Sequence, residues 1–260
     1  MLIYPQLSNG ALAQFPIVKQ HRQRTVVNAL LDSSSIKLAD PYGELTEWEL
    51  KYASLSDSEV LALQQFFVST EGSLNVFTFL DPTANLLSWT NQLDNVVWSK
   101  DPFLSIAAGV ADPTGGTNGW QAGNSGAGAQ TITQTLSVPG AYVYSLSVYA
   151  QSVQPANITL FCGAIRLSRT LGTCWNRLTL TASGDSSSQS TIFGIEIPGG
   201  VTVDIFGLQV EPQASPSVYK PTEIGGVYQN ASFRDDIFSF ITTDVNHHSA
   251  TVNIVHANSL

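Results

Sequence analysis

The sequence predicts a mainly β protein with a single α-helix, in which a small β domain is interrupted by a second, inserted β domain. Three observations carry this prediction. Short runs of alternating or β-branched residues recur along most of the chain, separated by Gly, Pro, Asn and Ser turns. One segment alone carries both a helix-start and a helix-stop signal. Composition changes near residue 88 and again near 222, the middle stretch being less charged and richer in Gly, Ser and Asn turns.

The helix is expected over residues 57–71. Ser56 caps it, Glu59 completes a capping box, and Leu55 with Val60 forms a hydrophobic staple. Val60, Leu63 and Phe67 recur at helical spacing as a core-facing stripe, and Gly72 supplies the positive φ that ends the helix. Strands are expected at residues 25–30, 36–39, 47–52 and 75–80. In the middle they fall at 131–137, 142–150, 158–162, 176–181, 191–197 and 202–210, and after it at 236–242 and 251–255. Residues 115–128, interrupted by Trp120, are read as a long surface loop. A two-stranded piece cannot stand alone in water. Residues 223–260 are therefore expected to complete the sheet begun by 1–87, leaving 88–222 as the insert.

Composition removes several function classes. Hydrophobic residues make up 43% and charged residues only 12%, so Ser, Thr, Gly and Asn dress a surface suited to extracellular or virion life. A net charge of -9 and a pI near 4.7 argue against nucleic acid, whose phosphates call for concentrated Lys and Arg. The one basic cluster, Lys19, His21, Arg22 and Arg24, is read as a solvated strand face or subunit contact. No stretch approaches 18 apolar residues, and residues 1–10 lack a basic segment followed by an apolar one, so neither membrane insertion nor a signal sequence is expected. Cys162 and Cys174 are too few for a disulfide scaffold or, lacking a nearby His pair, for a zinc site.

Two resemblances follow from particular residues. The middle opens with Asn85-Leu86-Leu87 and Leu93-Asp94-Asn95-Val96-Val97-Trp98, and continues with Asp112-Pro113-Thr114-Gly115-Gly116-Thr117. Tyr144 to Ala150 and Trp175 to Thr181 come next, and Phe206-Gly207-Leu208-Gln209-Val210-Glu211 with Tyr219-Lys220-Pro221-Thr222 closes it. This series resembles the jelly-roll, carbohydrate-binding-like modules of phage tail and tail-fibre proteins. That resemblance implies a β-sandwich, host cell-surface glycans as partners and, as in related jelly-rolls, a structural Ca²⁺ with Asp94, Asp112 or Asp204 as oxygen ligands.

The flanks are similar to the distal tail and minor tail proteins of long-tailed phages. The residues concerned are Thr46-Glu47-Trp48-Glu49-Leu50, the capped helix, Gly72 and Phe77-Thr78-Phe79-Leu80-Asp81-Pro82, after which the insert begins. In those families a β-sandwich with one helix forms a ring at the tail end. The likeness implies a homo-oligomeric ring, with strands near Val26 and Phe77 holding inter-subunit surface, and contacts with tail tube, hub and the end of the tape measure. It also implies assembly in a host cytoplasm and exposure on the virion tail. A cytosol keeps thiols reduced, which favours free Cys162 and Cys174 over a disulfide between them.

Chemistry offers little for an enzyme. His247 and His248 are adjacent and would point apart on a strand; His21 and His256 lie elsewhere. Asp204 and Glu211 fall on unlike parities of one strand, and Asp235-Asp236 after Arg234 is read as a turn or an ion pair rather than a catalytic pair. The chain is expected not to be an enzyme. Sugar binding asks instead for aromatic faces flanked by amides and carboxylates. With Tyr144, Leu146 and Val148 as core, Tyr149 and Gln151 share the opposite face. With Phe206, Leu208 and Val210 as core, Gln209 and Glu211 do so. These four are expected to line a groove with Trp120 as a lid, while Trp98 and Trp175 are structural. Two rivals stand beside the tail reading: a lectin-like module without a tail role, and a glycosidase with an accessory domain.

Overall fold

The computed structural model describes residues 2–257. In chain order its elements are β1 (Ile17–Ala29), β2 (Ser35–Leu55), α1 (Asp57–Ser69) and β3 (Phe77–Leu80). Next come β4 (Ser99–Lys100), β5 (Leu104–Val110), β6 (Gly119–Asn124), β7 (Gln130–Leu136) and β8 (Tyr144–Gln151). Then follow β9 (Ala156–Cys162), β10 (Ile165–Leu171), β11 (Asn176–Ala182), β12 (Thr191–Ile197) and β13 (Thr202–Glu211). β14 (Val227–Phe233), β15 (Phe240–Asp244) and β16 (His247–Ala257) complete the chain. The fold is mainly β, as the sequence predicts, with antiparallel pairing throughout the registered ladders.

Two compact units emerge, one of Met1–Ser8, Leu12–Phe79 and Tyr228–Leu260, the other of Asn9–Ala11 with Leu80–Val227. Met1 and residues 258–260 of the expected flanking domain lie outside the described residues. The division falls outside the borders at 88 and 222 because the intervening residues are bound into the second unit. Leu86 N–H donates to the Val210 carbonyl at 2.8 Å, Gly226 N–H to Asn85 O at 2.9 Å, and buried Asn85 Oδ1 accepts from Val210 N–H at 3.0 Å.

The first unit is one sheet, in the order β1-β2-β16-β14-β3 with β15 beside β16, carrying α1. The capping box forms as the sequence predicts: Ser56 Oγ accepts from Glu59 N–H, and Glu59 Oε2 accepts from Ser56 N–H at 2.9 Å. Ser8 also donates to Glu59 Oε1 at 2.7 Å. Burial alone would raise the Glu59 carboxyl, but the donors from Ser56 and Ser8 outweigh it and hold the group at about 2. The helix ends two residues before 71, on a Schellman turn in which Glu71, at φ 53°, and the expected Gly72, at φ 67°, are both left-handed. Glu71 N–H reaches Val68 O at 3.1 Å and Gly72 N–H reaches Phe67 O at 3.1 Å. Phe66 meets Tyr4, Phe77 and Phe233 edge-on and Phe67 packs on Phe233, so the helix covers an aromatic core.

β2 is a single 21-residue strand rather than the two short ones expected. Its C-terminal part alternates conventionally, with Thr46, Trp48, Leu50 and Tyr52 buried. Its N-terminal part pairs only with β1, as a two-stranded arm whose two faces are both exposed, leaving Val26, Val27, Leu30, Ile36 and Leu38 at the surface. The basic cluster of β1 is met by cross-strand partners: Arg22 by Glu47 at 3.3 Å, Arg24 by Asp40, His21 by Thr46 Oγ1 at 3.1 Å, and Lys19 over the Trp48 ring at 5.5 Å. Phe77 is buried at 1% exposure, so of the two expected inter-subunit strands only that near Val26 presents surface.

The second unit is a β-sandwich of two five-stranded sheets, β10-β9-β12-β7-β4 and β11-β8-β13-β6-β5. Tyr144 of one sheet meets Phe193 of the other edge-on at 5.1 Å, and Leu146, Val148, Leu160, Ile195, Ile205 and Val210 fill the space between them. Residues 115–128 are not one loop: β6 occupies part of them, hydrogen-bonded between β5 and β13. Trp120 lies on β6 facing the core at 6% exposure, with its indole N–H on Asn91 O at 3.2 Å. It is not a lid. Trp98 is also buried, while Trp175 is half-buried.

Candidate functional site

The outward face of the sheet containing β8 and β13 is where strand parity points to a groove, and the structure divides that face in two. On β8, Ser145, Ser147, Tyr149 and Gln151 do face outward, opposite the core residues Tyr144, Leu146 and Val148. Their partners on β13 are Glu211, Gln209, Phe206 and Asp204 in turn. Between Phe206 and Gln209 the register shifts at a bulge where Gly207 takes φ +69°. The ring of Tyr219 sits so close to Gly207 that a Cβ there would come within 3.1 Å of it.

Beyond the bulge the face is covered. Residues 212–220 fold back over it and are held by two of the four side chains expected to line the groove. Gln209 and Glu211 are both fully buried. Glu211 accepts from Ser217 N–H at 2.7 Å, Ser217 Oγ at 2.6 Å, Gln209 Nε2 at 2.7 Å and Lys220 Nζ at 3.0 Å. Gln209 Oε1 accepts from Lys220 N–H at 2.8 Å. These two residues fasten the chain, and the groove is shorter than parity implies.

On the other side of the bulge the face stays open. Asp204 sits between two carboxamides, accepting from Gln151 Nε2 at 3.1 Å and from Gln121 Nε2 at 3.5 Å. Half-buried Tyr149 lies one row along, its ring 6.0 Å from Phe206 and 5.4 Å beneath the Arg177 guanidinium, which is itself steadied on Ser147 Oγ at 2.9 Å. Gln121 and Asp204 also border a cavity of about 290 Å³ closed by residues 152–156 and 200–202. Gln121 and Arg177 escape a parity argument confined to β8 and β13, because β6 lacks β-branched residues and Arg177 belongs to the neighbouring strand. An aromatic ring beside a carboxylate flanked by amides is the equipment for holding a polyhydroxylated ring.

No family model and no curated protein matches the chain. Among solved structures it is similar to the enzymatically active domain of tailspike protein 4 of bacteriophage CBA120, at 13% identity and TM-score 0.39, over 51% of this chain and 22% of that one. It is also similar to the CBM22-1 xylan-binding domain from Paenibacillus barcinonensis, at 13% identity and TM-score 0.41, over 51% and 96%. TmCBM61, solved in complex with beta-1,4-galactotriose, is a third, at 13% identity and TM-score 0.37, over 49% and 98%. The chain thus spans less than a quarter of the tailspike domain's length.

The expected calcium ligands do not come together. Asp112 is enclosed by donors: Thr114 Oγ1, then the N–H groups of Asn118, Thr114 and Gly116, with Asn118 Nδ2 besides. The Thr114 hydroxyl foremost, and the backbone donors with it, hold the carboxyl well below its usual range and leave neither oxygen open to a cation. Asp94 is exposed, and its backbone carbonyl, with those of Leu93 and Asn95, surrounds Lys100 Nζ at 2.9–3.3 Å, so an ammonium already occupies that oxygen cage. Asp204 is engaged by the two carboxamides. Among the described residues no three His, Cys, Asp or Glu side chains converge. The donor sets therefore do not fit a bound Ca²⁺. Cys162 is buried, which pushes its thiol up to about 11; Cys174 is exposed, and both are free.

Other titratable groups expected to be structural have partners. His248 is buried between Thr242 Oγ1 at 3.0 Å and Asp57 Oδ1 at 2.6 Å, and the neighbouring His247 is exposed. Asp235 pairs with Arg234 at 3.0 Å, and Asp236 accepts from Ser73 Oγ at 2.6 Å.

Proposed function

We propose that this chain is a non-enzymatic structural protein of a bacteriophage-type tail tip, whose first unit joins copies of itself in a ring and whose second unit presents a glycan-contacting face to the host surface. The observation that carries the glycan reading is the Gln121–Asp204–Gln151 cluster beside Tyr149, on the one part of the β8–β13 face left uncovered. The tail reading is supported by the residues of the first unit that resemble distal and minor tail proteins. It is further supported by the β1–β2 arm, whose apolar side chains, exposed on both faces, match what a neighbouring copy would cover. In this reading the tail tube, hub and tape measure are its further partners, and the chain is exposed on the virion after assembly in the host. Asp235 and Asp236 are each held by partners of their own, which supports a structural rather than a hydrolytic role.

The test is a pair of measurements on the full chain. Tyr149→Ala and Asp204→Asn are expected to abolish binding on a glycan array while leaving the oligomer intact. Val26→Asp combined with Leu38→Asp, opposite one another on the arm, is expected to dissociate the oligomer while leaving glycan binding intact. A chain that is monomeric with its arm unaltered, yet binds glycans, would be a lectin-like module instead. Unchanged glycan binding in both groove variants would remove the glycan reading.

A further inference from the structure

We infer that the second unit carries a second saccharide subsite, built around Trp89 and separate from the groove at Tyr149, which takes a neutral hexopyranose unit. Trp89 has a left-handed backbone, φ 50°. A bulky L-residue pays about 1–2 kcal/mol for that conformation, and such strain gathers where a site needs a side chain aimed in one direction. Core burial does not explain it, since Trp89 is only half-buried. The neighbouring hydrogen bonds hold the backbone there: Trp89 N–H donates to Glu223 O at 3.2 Å, and Trp89 O accepts from Gln92 N–H at 3.0 Å and from Trp98 Nε1 at 3.1 Å. Thr90 N–H donates to Thr222 O at 2.9 Å, which fixes the next residue as well.

The indole so held lines a cavity of about 340 Å³ with Asn91, Gln92, Pro221, Thr222 and Glu223. That volume lies at the small end of the range for ligand pockets. Its chemistry is that of a sugar site: an aromatic surface for the C–H face of a pyranose, two exposed carboxamides and an exposed carboxylate for its hydroxyls. Asn91 Oδ1 already accepts from Tyr219 OH at 2.7 Å, which orients that carboxamide with its NH₂ free to donate. Glu223 and a net charge of -9 select against acidic sugars.

The inference does not rest on the groove, and the experiment keeps the two apart. Glucose, galactose and N-acetylglucosamine are titrated separately into ¹⁵N-labelled full chain, and the indole N–H signals are followed, that of Trp89 being assigned by its loss in Trp89→Phe. At least one sugar is expected to shift the Trp89 signal. Trp89→Ala is expected to weaken that sugar by about tenfold or more, Glu223→Gln to weaken it less, and Tyr149→Ala to leave it unchanged. Glu223→Gln keeps the fold if Trp89→Ala does not, and still reads the site. No shift at Trp89 with any of the three sugars overturns the inference, as does undiminished affinity in both Trp89→Ala and Glu223→Gln. Loss of the Trp89 shift in Tyr149→Ala also overturns it, since the sugar would then be in the groove. Weak binding at Trp89 with an inert Tyr149 would leave this subsite standing and remove the groove.

Discussion

The two halves of the outward face of β8 and β13 are built by the same antiparallel strand pair, out of step with one another on β13 because of the bulge, yet one half is interior and the other is surface. In the covered half Ser145, Ser147, Gln209 and Glu211 are all buried, the last two bonded to the returning residues 217 and 220; in the open half Tyr149 and Gln151 are only partly buried. The bulge at Gly207 separates them. Polar residues of one outward face therefore serve opposite ends. Where a later segment returns, they hydrogen-bond to it, and where it stops, they stay available to a ligand. Alternation tells which way a side chain points, and chain path decides what it meets.

The largest test of this contrast is Glu211→Ala. It strips four donors of their acceptor, including Lys220 Nζ, and is expected to cost about 3 kcal/mol in denaturant unfolding. Glycan binding at the open half should survive in the folded fraction. Gly207→Ala, at the boundary, combines a left-handed backbone with the Tyr219 ring and is expected to cost about 2 kcal/mol. The same cost from an alanine at Gly128, which has no neighbour within 4 Å and no positive φ, would remove the special role of the boundary.

Tyr219 gives a pH-dependent test. Burial raises its phenol to about 12, the Thr90 hydrogen bond only partly opposing this. The corresponding stability is fully present below the unfolded value of 10 and is lost as pH rises through 12. Tyr219→Phe is expected to cost about 1 kcal/mol at neutral pH, through its bonds to Thr90 and Asn91. It should also flatten the stability curve between those two pH values relative to the parent chain. The smallest effect is expected from Asp204→Asn in the open half, within about 0.5 kcal/mol by thermal melting; a loss as large as that of Glu211→Ala would make both halves structural.

The sequence made the helix, its capping box and the core face of β8 legible, because local spacing determines them; on β13 the bulge at Gly207 turns Phe206, expected in the core, to the outward face opposite Tyr149. It did not make β5 and β6 legible. Gly119–Asn124 carries no β-branched residue and Leu104–Val110 only Ile106 and Val110; β6 owes its existence to pairing with β13, some 80 residues away in the case of Asp204 and Gln121, and β5 to pairing with β6. Trp120, expected on a loop, sits on a strand for the same reason. The burial of Gln209 and Glu211 was hidden more deeply. Nothing in their own strand announces that Ser217 and Lys220 return to cover them.

The oxygen cage around Lys100 has a consequence for the conditions this module tolerates. A loop organised by a divalent ion is only as firm as the ion supply around it, and chelators or dilution loosen it. The chain instead carries its cation covalently, on a side chain that reaches back to the carbonyls of Leu93, Asp94 and Asn95. The start of the sandwich should keep its shape equally in calcium-poor and calcium-rich media.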